Sequence, residues 1–254
     1  NQDITSWHVC DNLQAENMFY NATTWLLNYE RIDGCDFDYD GPANDWIKKI
    51  KGKFIYHTDT EVNDDTLRIV NDNGGFRKLM YSCDDGFDGR TRVTVEYEWD
   101  RSMDYCDAAR KDGLYFNGSN DVIQQFDGIP LIREGDGEAL LFAFSRFTGA
   151  ICDGAGVPTL LPNTDLTGCF FLCKISNADF GNDLPYWDTS NVTNMSGVFV
   201  EAENFNQPLN DWNTSNVNTM ASMFYDARKF NQPLNDWNTS NVINMHAMFL
   251  NVHN

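Results

Sequence analysis

Apolar and polar residues follow two rhythms along this chain. From Phe180 onward the apolar positions return every 25 residues. Phe180, Phe205 and Phe230 open three copies. Trp187, Trp212 and Trp237 follow, then Val192, Val217 and Val242, then Met195, Met220 and Met245. Val198, Met223 and Met248 come next, each followed by a phenylalanine: Phe199, Phe224 and Phe249. The last two copies share the run FNQPLNDWNTSNV. A period of this length predicts a solenoid, whose units bury their apolar faces only against one another. Val217, Met220, Met223 and Phe224 have the spacing of one helix face, so each copy is expected to hold a short helix. Thr214 or Ser215 is its candidate N-cap. Phe205 to Leu209 reads as an extended piece that Pro208 limits to irregular or edge-like pairing.

Before residue 158 the rhythm is shorter. Residues 67–70, 76–82, 92–99 and 139–147 read as strands, with Gly-rich turn signals between them. In 92–100, Val93, Val95, Tyr97 and Trp99 alternate with Thr94, Glu96, Glu98 and Asp100. These features predict an antiparallel sandwich or jelly-roll-like domain. Residues 12–31 predict a helix with Leu13, Met18, Trp25, Leu26 and Tyr29 on a broad face. Residues 44–50 predict a shorter helix, capped by Asn44, with Trp46, Ile47 and Ile50 inward. Residues 150–162 form a Gly/Pro-punctuated joint. The expected organisation is α+β: a β-rich domain over 1–158, then repeats over 159–254. Residues 163–179 form a degenerate cap, with Leu166, Cys169, Leu172 and Cys173 at the repeat's apolar positions.

The pattern F-N-Q-P-L-N-x-W-N-T-S-N-V-x-x-M-x-x-M-F resembles the BspA-like leucine-rich repeats, a family that includes mycoplasma lipoprotein-type repeats. The resemblance covers residues 180–254 and extends toward Asn163. It implies a surface protein of a bacterium or unicellular eukaryote, engaged in adhesion or binding. It carries no catalytic residues over. Residues 1–158 show no such motif.

Charge narrows the partners. With 18 basic and 38 acidic residues the net charge is −20. Nucleic acid and anionic membranes are poor partners for such a chain. No apolar run reaches membrane-span length. The seven cysteines are Cys10, Cys35, Cys83, Cys106, Cys152, Cys169 and Cys173. They lack zinc-site spacing and read as disulfide candidates with one left over. Cys169 and Cys173 lie one helical turn apart, so Cys152 to one of them is the preferred bridge. Asn-x-Ser/Thr sequons stand at Asn21, Asn117, Asn191, Asn194, Asn213 and Asn238. Cysteines and sequons together point to a secreted or cell-surface glycoprotein of a eukaryote. The chain begins at Asn1, which fits a removed signal peptide.

Two stretches carry candidate chemistry. Asp36, Asp38 and Asp40, followed by Gly41, open like a calcium loop, but Ile47 stands where an EF-hand needs glutamate. Calcium is therefore a possible ligand, and no cofactor is required. Glu96, Glu98 and Asp100 alternate on one strand face, as the carboxylates of a retaining glycosidase would. A wet strand face is the simpler account. The two function classes are thus a non-enzymatic adhesion, fibre or coat protein, and a carbohydrate-active enzyme or calcium-dependent lectin. Carboxylates at the floor of an aromatic-walled cleft would favour the second. The third copy's apolar face has nothing after Asn254 to cover it. That predicts further repeats or a head-to-tail contact with another molecule. Glycans and other surface proteins are the remaining expected partners.

Overall fold

The computed structural model describes residues 29–31, 46–48, 50–100, 111–126, 128–132 and 143–253. Eleven strands lie among these residues: β1 (Tyr29–Arg31), β2 (Trp46–Lys48), β3 (Ile50–Thr58), β4 (Ile69–Val70), β5 (Phe76–Asp85), β6 (Thr91–Trp99), β7 (Gly113–Leu114), β8 (Val122–Gln125), β9 (Ala150–Ile151), β10 (Thr164–Asp165) and β11 (Val192–Asn194). Among the described residues, complete 3-10 turns stand at 177–180, 184–186 and 189–191, and Lys111 is also in 3-10 conformation. The chain is β-rich.

The largest sheet has the order β5-β6-β3-β8-β9. Its first four strands are antiparallel, whereas β9 joins β8 in parallel. The sheet is therefore mixed and, among the described residues, closes no barrel, unlike the purely antiparallel sandwich expected. Strand β6 behaves as its alternation predicts. Val93, Val95, Tyr97 and Trp99 are buried, and Phe54, Tyr56 and Phe76 pack on the same side. The Asn73-Gly74-Gly75 turn is tied by Asp112, which accepts from Asn73 N at 3.0 Å and Gly75 N at 2.9 Å. A Cβ on Gly75 would meet the Trp99 ring at 2.6 Å, so the close approach requires glycine.

Three local expectations differ from the described residues. Tyr29–Arg31, the end of the expected helix 12–31, is a strand antiparallel to Trp46–Lys48, and residues 12–28 of that helix lie outside the described residues. That partner lies inside the expected helix 44–50, and Ile50 already belongs to β3. At both places cross-strand pairing overrides the apolar periodicity. Residues 143–146, inside the expected strand 139–147, form a turn.

The repeats do stack, but not as helices. Val217, Met220, Met223 and Phe224 are fully buried, as their spacing predicts. Yet the backbone turns sharply, with left-handed residues at Ser222 (φ 55°) and Asp226 (φ 53°). The amides do not close i to i−4 bonds. Phe224 N donates to Met248 O at 2.9 Å and Asp226 N to Leu250 O at 2.9 Å, both in the next copy. Thr214 likewise caps no helix; its Oγ1 donates to Asn238 O at 3.0 Å across copies. Tight turns whose amides bond sideways bury the same face as a helix.

This pattern reaches far upstream of the repeats. Phe116, Phe144, Phe170, Phe199, Phe224 and Phe249 form one row of parallel rings. Successive centroids lie 5.9, 5.0, 5.5, 5.6 and 5.5 Å apart. Two residues after each ring the backbone is left-handed, at Gly118, Arg146, Leu172, Glu201, Asp226 and Asn251. Each ring residue but the last donates its N–H to the residue before the next ring, from Phe116 N to Ala143 O through Phe224 N to Met248 O. The row crosses the boundary expected at 158/159, and one core cluster runs from Phe54 to Met248.

The other repeat rows are less uniform. Trp187 stacks on Trp212 at 6.5 Å. The indole N–H groups of Trp212 and Trp237 donate to Leu184 O and Leu209 O, one copy back. Met195 and Met220 are buried, whereas Met245 and Phe249, expected in the core, are 43% and 48% exposed. No copy stacks on their outer side among the described residues, and Trp237 is only half-buried.

Candidate functional site

Strand pairing fixes the surroundings of Glu96 and Glu98. Register places Lys51 opposite Glu98 and Lys53 opposite Glu96, so all four share the outer face of the sheet. On the other flank, β5 carries a bulge between Arg77 and Met80, with Lys78 left-handed at φ 50°. Bulges re-aim side chains. Here Lys78 Nζ comes to 2.9 Å from Glu98, which Lys51 Nζ also approaches at 3.6 Å. Together with Met80 these residues line a hollow of about 460 Å3.

The carboxylates are not equivalent. Glu96 is exposed and Glu98 is half-buried between two ammonium groups. Asp100, expected on the same open face, is buried and paired with Arg77. Tyr97 also borders the hollow, but it is buried. Among the described residues the side chains around the two glutamates are chiefly lysines and a methionine. Cross-strand Lys–Glu pairing of this kind stabilises a sheet modestly.

A second polar group lies inside. Asp121 is fully buried and accepts from Arg68 Nε at 2.5 Å, joining the segment before β4 to the start of β8. Nearby, burial pushes the Tyr56 hydroxyl well above the usual tyrosine range. His57 is buried, its Nε2 3.0 Å from Gln124 Oε1 and its ring against Phe87. None of the sequence motifs announced these residues, because strand pairing alone brings them together.

The cysteines divide. Cys83, Cys152, Cys169 and Cys173 are free thiols, so the bridge expected from Cys152 to Cys169 or Cys173 is not formed. Cys169 and Cys173 instead fill apolar positions of a rung. Burial pushes the Cys169 thiol far up, and pushes Cys173 up to about 12. Cys83 is exposed on the edge strand. Cys10, Cys35 and Cys106 lie outside the described residues, as do Asn21 and the Asp36, Asp38 and Asp40 loop. Among the described residues no group of three or more His, Cys, Asp or Glu side chains could hold a metal ion.

The sequon asparagines also divide. Asn191 Nδ2 donates to Leu160 O at 2.9 Å, and Asn194 Nδ2 to Asp165 Oδ2 at 3.1 Å. Asn213 and Asn238 are exposed; Asn213 Oδ1 accepts from Ser215 N and Oγ, and Asn238 Oδ1 from Ser240 N. The Asn-Thr-Ser run is thus a turn device in which Asn closes onto the backbone. Asn117 is half-buried next to Gly118.

Residues 1–34 and 164–254 match the family described as Mycoplasma protein of unknown function, DUF285. The second matched segment begins at β10 and takes in every rung from Phe170 onward. The first falls where the sequence reading found no resemblance, so that reading is corrected for residues 1–34. No curated protein and no solved structure matches the chain. No helix among the described residues is long and apolar enough to cross a membrane.

Proposed function

We propose that this chain is a non-enzymatic surface protein: secreted, acting in adhesion or as a subunit of an extracellular fibre or coat. Its repeats form a BspA-like solenoid that runs on into the sheet. The observation that carries this reading is the ring row from Phe116 to Phe249 with its bonds between copies. Stacks of this kind present long regular surfaces suited to binding. The surroundings of Glu96 and Glu98 support the same reading, because two lysines hold Glu98 on an open face. Self-association into the fibre or coat belongs to the same proposal; a head-to-tail contact between copies of the chain would propagate unless it closed into a ring.

Antibody labelling of intact producing cells, with negative-stain microscopy of shed material, tests the proposal. Surface labelling and regular assemblies are expected. Detection only after cell lysis would overturn it.

A further inference from the structure

The first copy departs from the other two in the run between its phenylalanine and its tryptophan. FNQPLND of the second and third copies becomes FGNDLPY in the first. Most of the changes have structural reasons. Asn182 Oδ1 accepts from Gly154 N at 3.3 Å, and Asp183 Oδ2 from Gly156 N at 3.0 Å, docking this copy on the preceding segment. Gly181 is left-handed (φ 66°), and a Cβ there would lie 2.9 Å from Cys152 O. Tyr186 has no such reason. It replaces the aspartate found at Asp211 and Asp236, and it is 71% exposed.

Beside this ring lies a shallow hollow of about 350 Å3, lined in part by Asp188, Thr189, Asp211 and Asn213. Its polar equipment is mixed. Asp188 spends one oxygen on Ser190 N, at 3.1 Å. Asp211 makes no side-chain hydrogen bond or ion pair among the described residues. Asn213 has its Oδ1 taken by Ser215, which leaves its amide N–H groups to donate. A flat apolar ring with carboxylate acceptors and an amide donor suits a ligand with one apolar face and a rim of hydroxyls. An organic cation would use the ring and carboxylates but not the amide donor.

We propose that Tyr186, Asp211 and Asn213 form a binding site for a neutral saccharide, with a pyranose ring stacked on Tyr186. The site gives the adhesion reading a ligand class and rests on that reading. Hydroxyls of the sugar donate to Asp211 and to the spare oxygen of Asp188, and a ring or hydroxyl oxygen accepts from Asn213 Nδ2. Charge-assisted hydrogen bonds of this kind fix orientation, and the exposed ring supplies apolar contact.

Saturation-transfer NMR of the whole chain tests this with glucose-, galactose- and N-acetylglucosamine-terminated oligosaccharides. The protein is made in a host that adds no N-glycan, because a glycan on Asn213 would fill the same hollow. The key variant is Tyr186→Asp, which installs the residue of the other two copies and so leaves the fold intact. Binding of one saccharide class is expected, weakened roughly tenfold by Tyr186→Asp. It should persist at about 0.5 M salt, since no net charge is recognised. Three results overturn the site: no saccharide binds, Tyr186→Asp binds as well as the parent, or only an arginine-rich peptide binds and salt abolishes it. Surface labelling is read separately, so loss of the site and loss of the surface assignment are distinguishable.

Discussion

At the residue scale, the left-handed positions and the buried apolar groups carry the argument. Ser222 holds φ 55° where the equivalent residues of two earlier rungs, Gly168 and Gly197, are glycine. Non-glycine residues pay for that conformation, and β-branched ones most. Ser222→Gly is therefore expected to be neutral or to stabilise by up to about 1 kcal/mol, and Ser222→Val to destabilise by about 1–2 kcal/mol. Urea midpoints would decide, and equal effects of the two changes would refute the turn geometry. Met220 is fully buried between copies. Met220→Asp leaves a lone charge there and should cost about 3–5 kcal/mol or unfold the middle copy. The buried thiols give a pH dependence. Cys173 keeps its proton up to about 12 in the folded state, against 9.0 for the free group. Below 9.0 folded and unfolded chains both hold the proton, and the stability is fully present. As pH rises from there, the unfolded chain alone releases it, so stability should fall until the folded value is reached. A Cys173→Ala background that shows the same loss would assign it elsewhere.

At the element scale, one apolar spacing served two structures. Residues at i, i+3, i+6 and i+7 share a helix face, and they also share the inner side of two linked turns. The choice rests on where the backbone amides go. The amides of Phe199, Glu201, Phe224 and Asp226 reach carbonyls of the next copy, between 2.8 and 2.9 Å away, whereas those of Val200 and Tyr225 close back on Gly197 O and Ser222 O at 3.1 Å. A helix would have left those carbonyls unmatched. Phe199 and Phe224 are fully buried, so their sideways bonds cannot be exchanged for hydration. Backbone chemical shifts of residues 205–250 should show no α-helical run despite the apolar spacing. A helical run there would mean that the repeats fold differently. The tryptophans show the same sideways logic. Trp212→Phe keeps ring contact but loses the bond to Leu184 O, and about 1–2 kcal/mol of stability with it.

At the scale of the whole molecule, the sheet and the repeats share one core. Phe144 stacks on Phe170 and on Phe116, and Leu131 N and Thr159 N exchange bonds with Thr159 O and Ile129 O across the expected joint. A fragment of residues 159–254 would expose the side of Phe170 that Phe144 covers. It is expected to melt well below the whole chain, in which the stack and sheet should unfold together. Calorimetry showing two independent transitions, with the fragment as stable as its counterpart, would separate the units again. The repeat was legible because the last three copies keep one period. The earlier rings were not, because Phe116, Phe144, Phe170 and Phe199 are 28, 26 and 29 residues apart. Irregular spacing hides a row that only the folded backbone aligns. Of the candidate site, the alternation of β6 was legible and its meaning was not. Asp100 looked equivalent to Glu96 and Glu98 until β5 brought Arg77 to it.

The sequence by itself determined which residues are apolar, where strand β6 faces, and that three copies must bury like against like. Those are local properties, set by side-chain chemistry and a fixed period. The tertiary structure decided that the copies turn rather than coil, that the stack begins at Phe116, and that Cys152, Cys169 and Cys173 stay apart as thiols. Each of these depends on partners distant along the chain: a carbonyl in the next copy, a ring from the sheet, an apolar slot around a sulfur. Hydrogen-bond direction and packing fix such choices only when the copies meet.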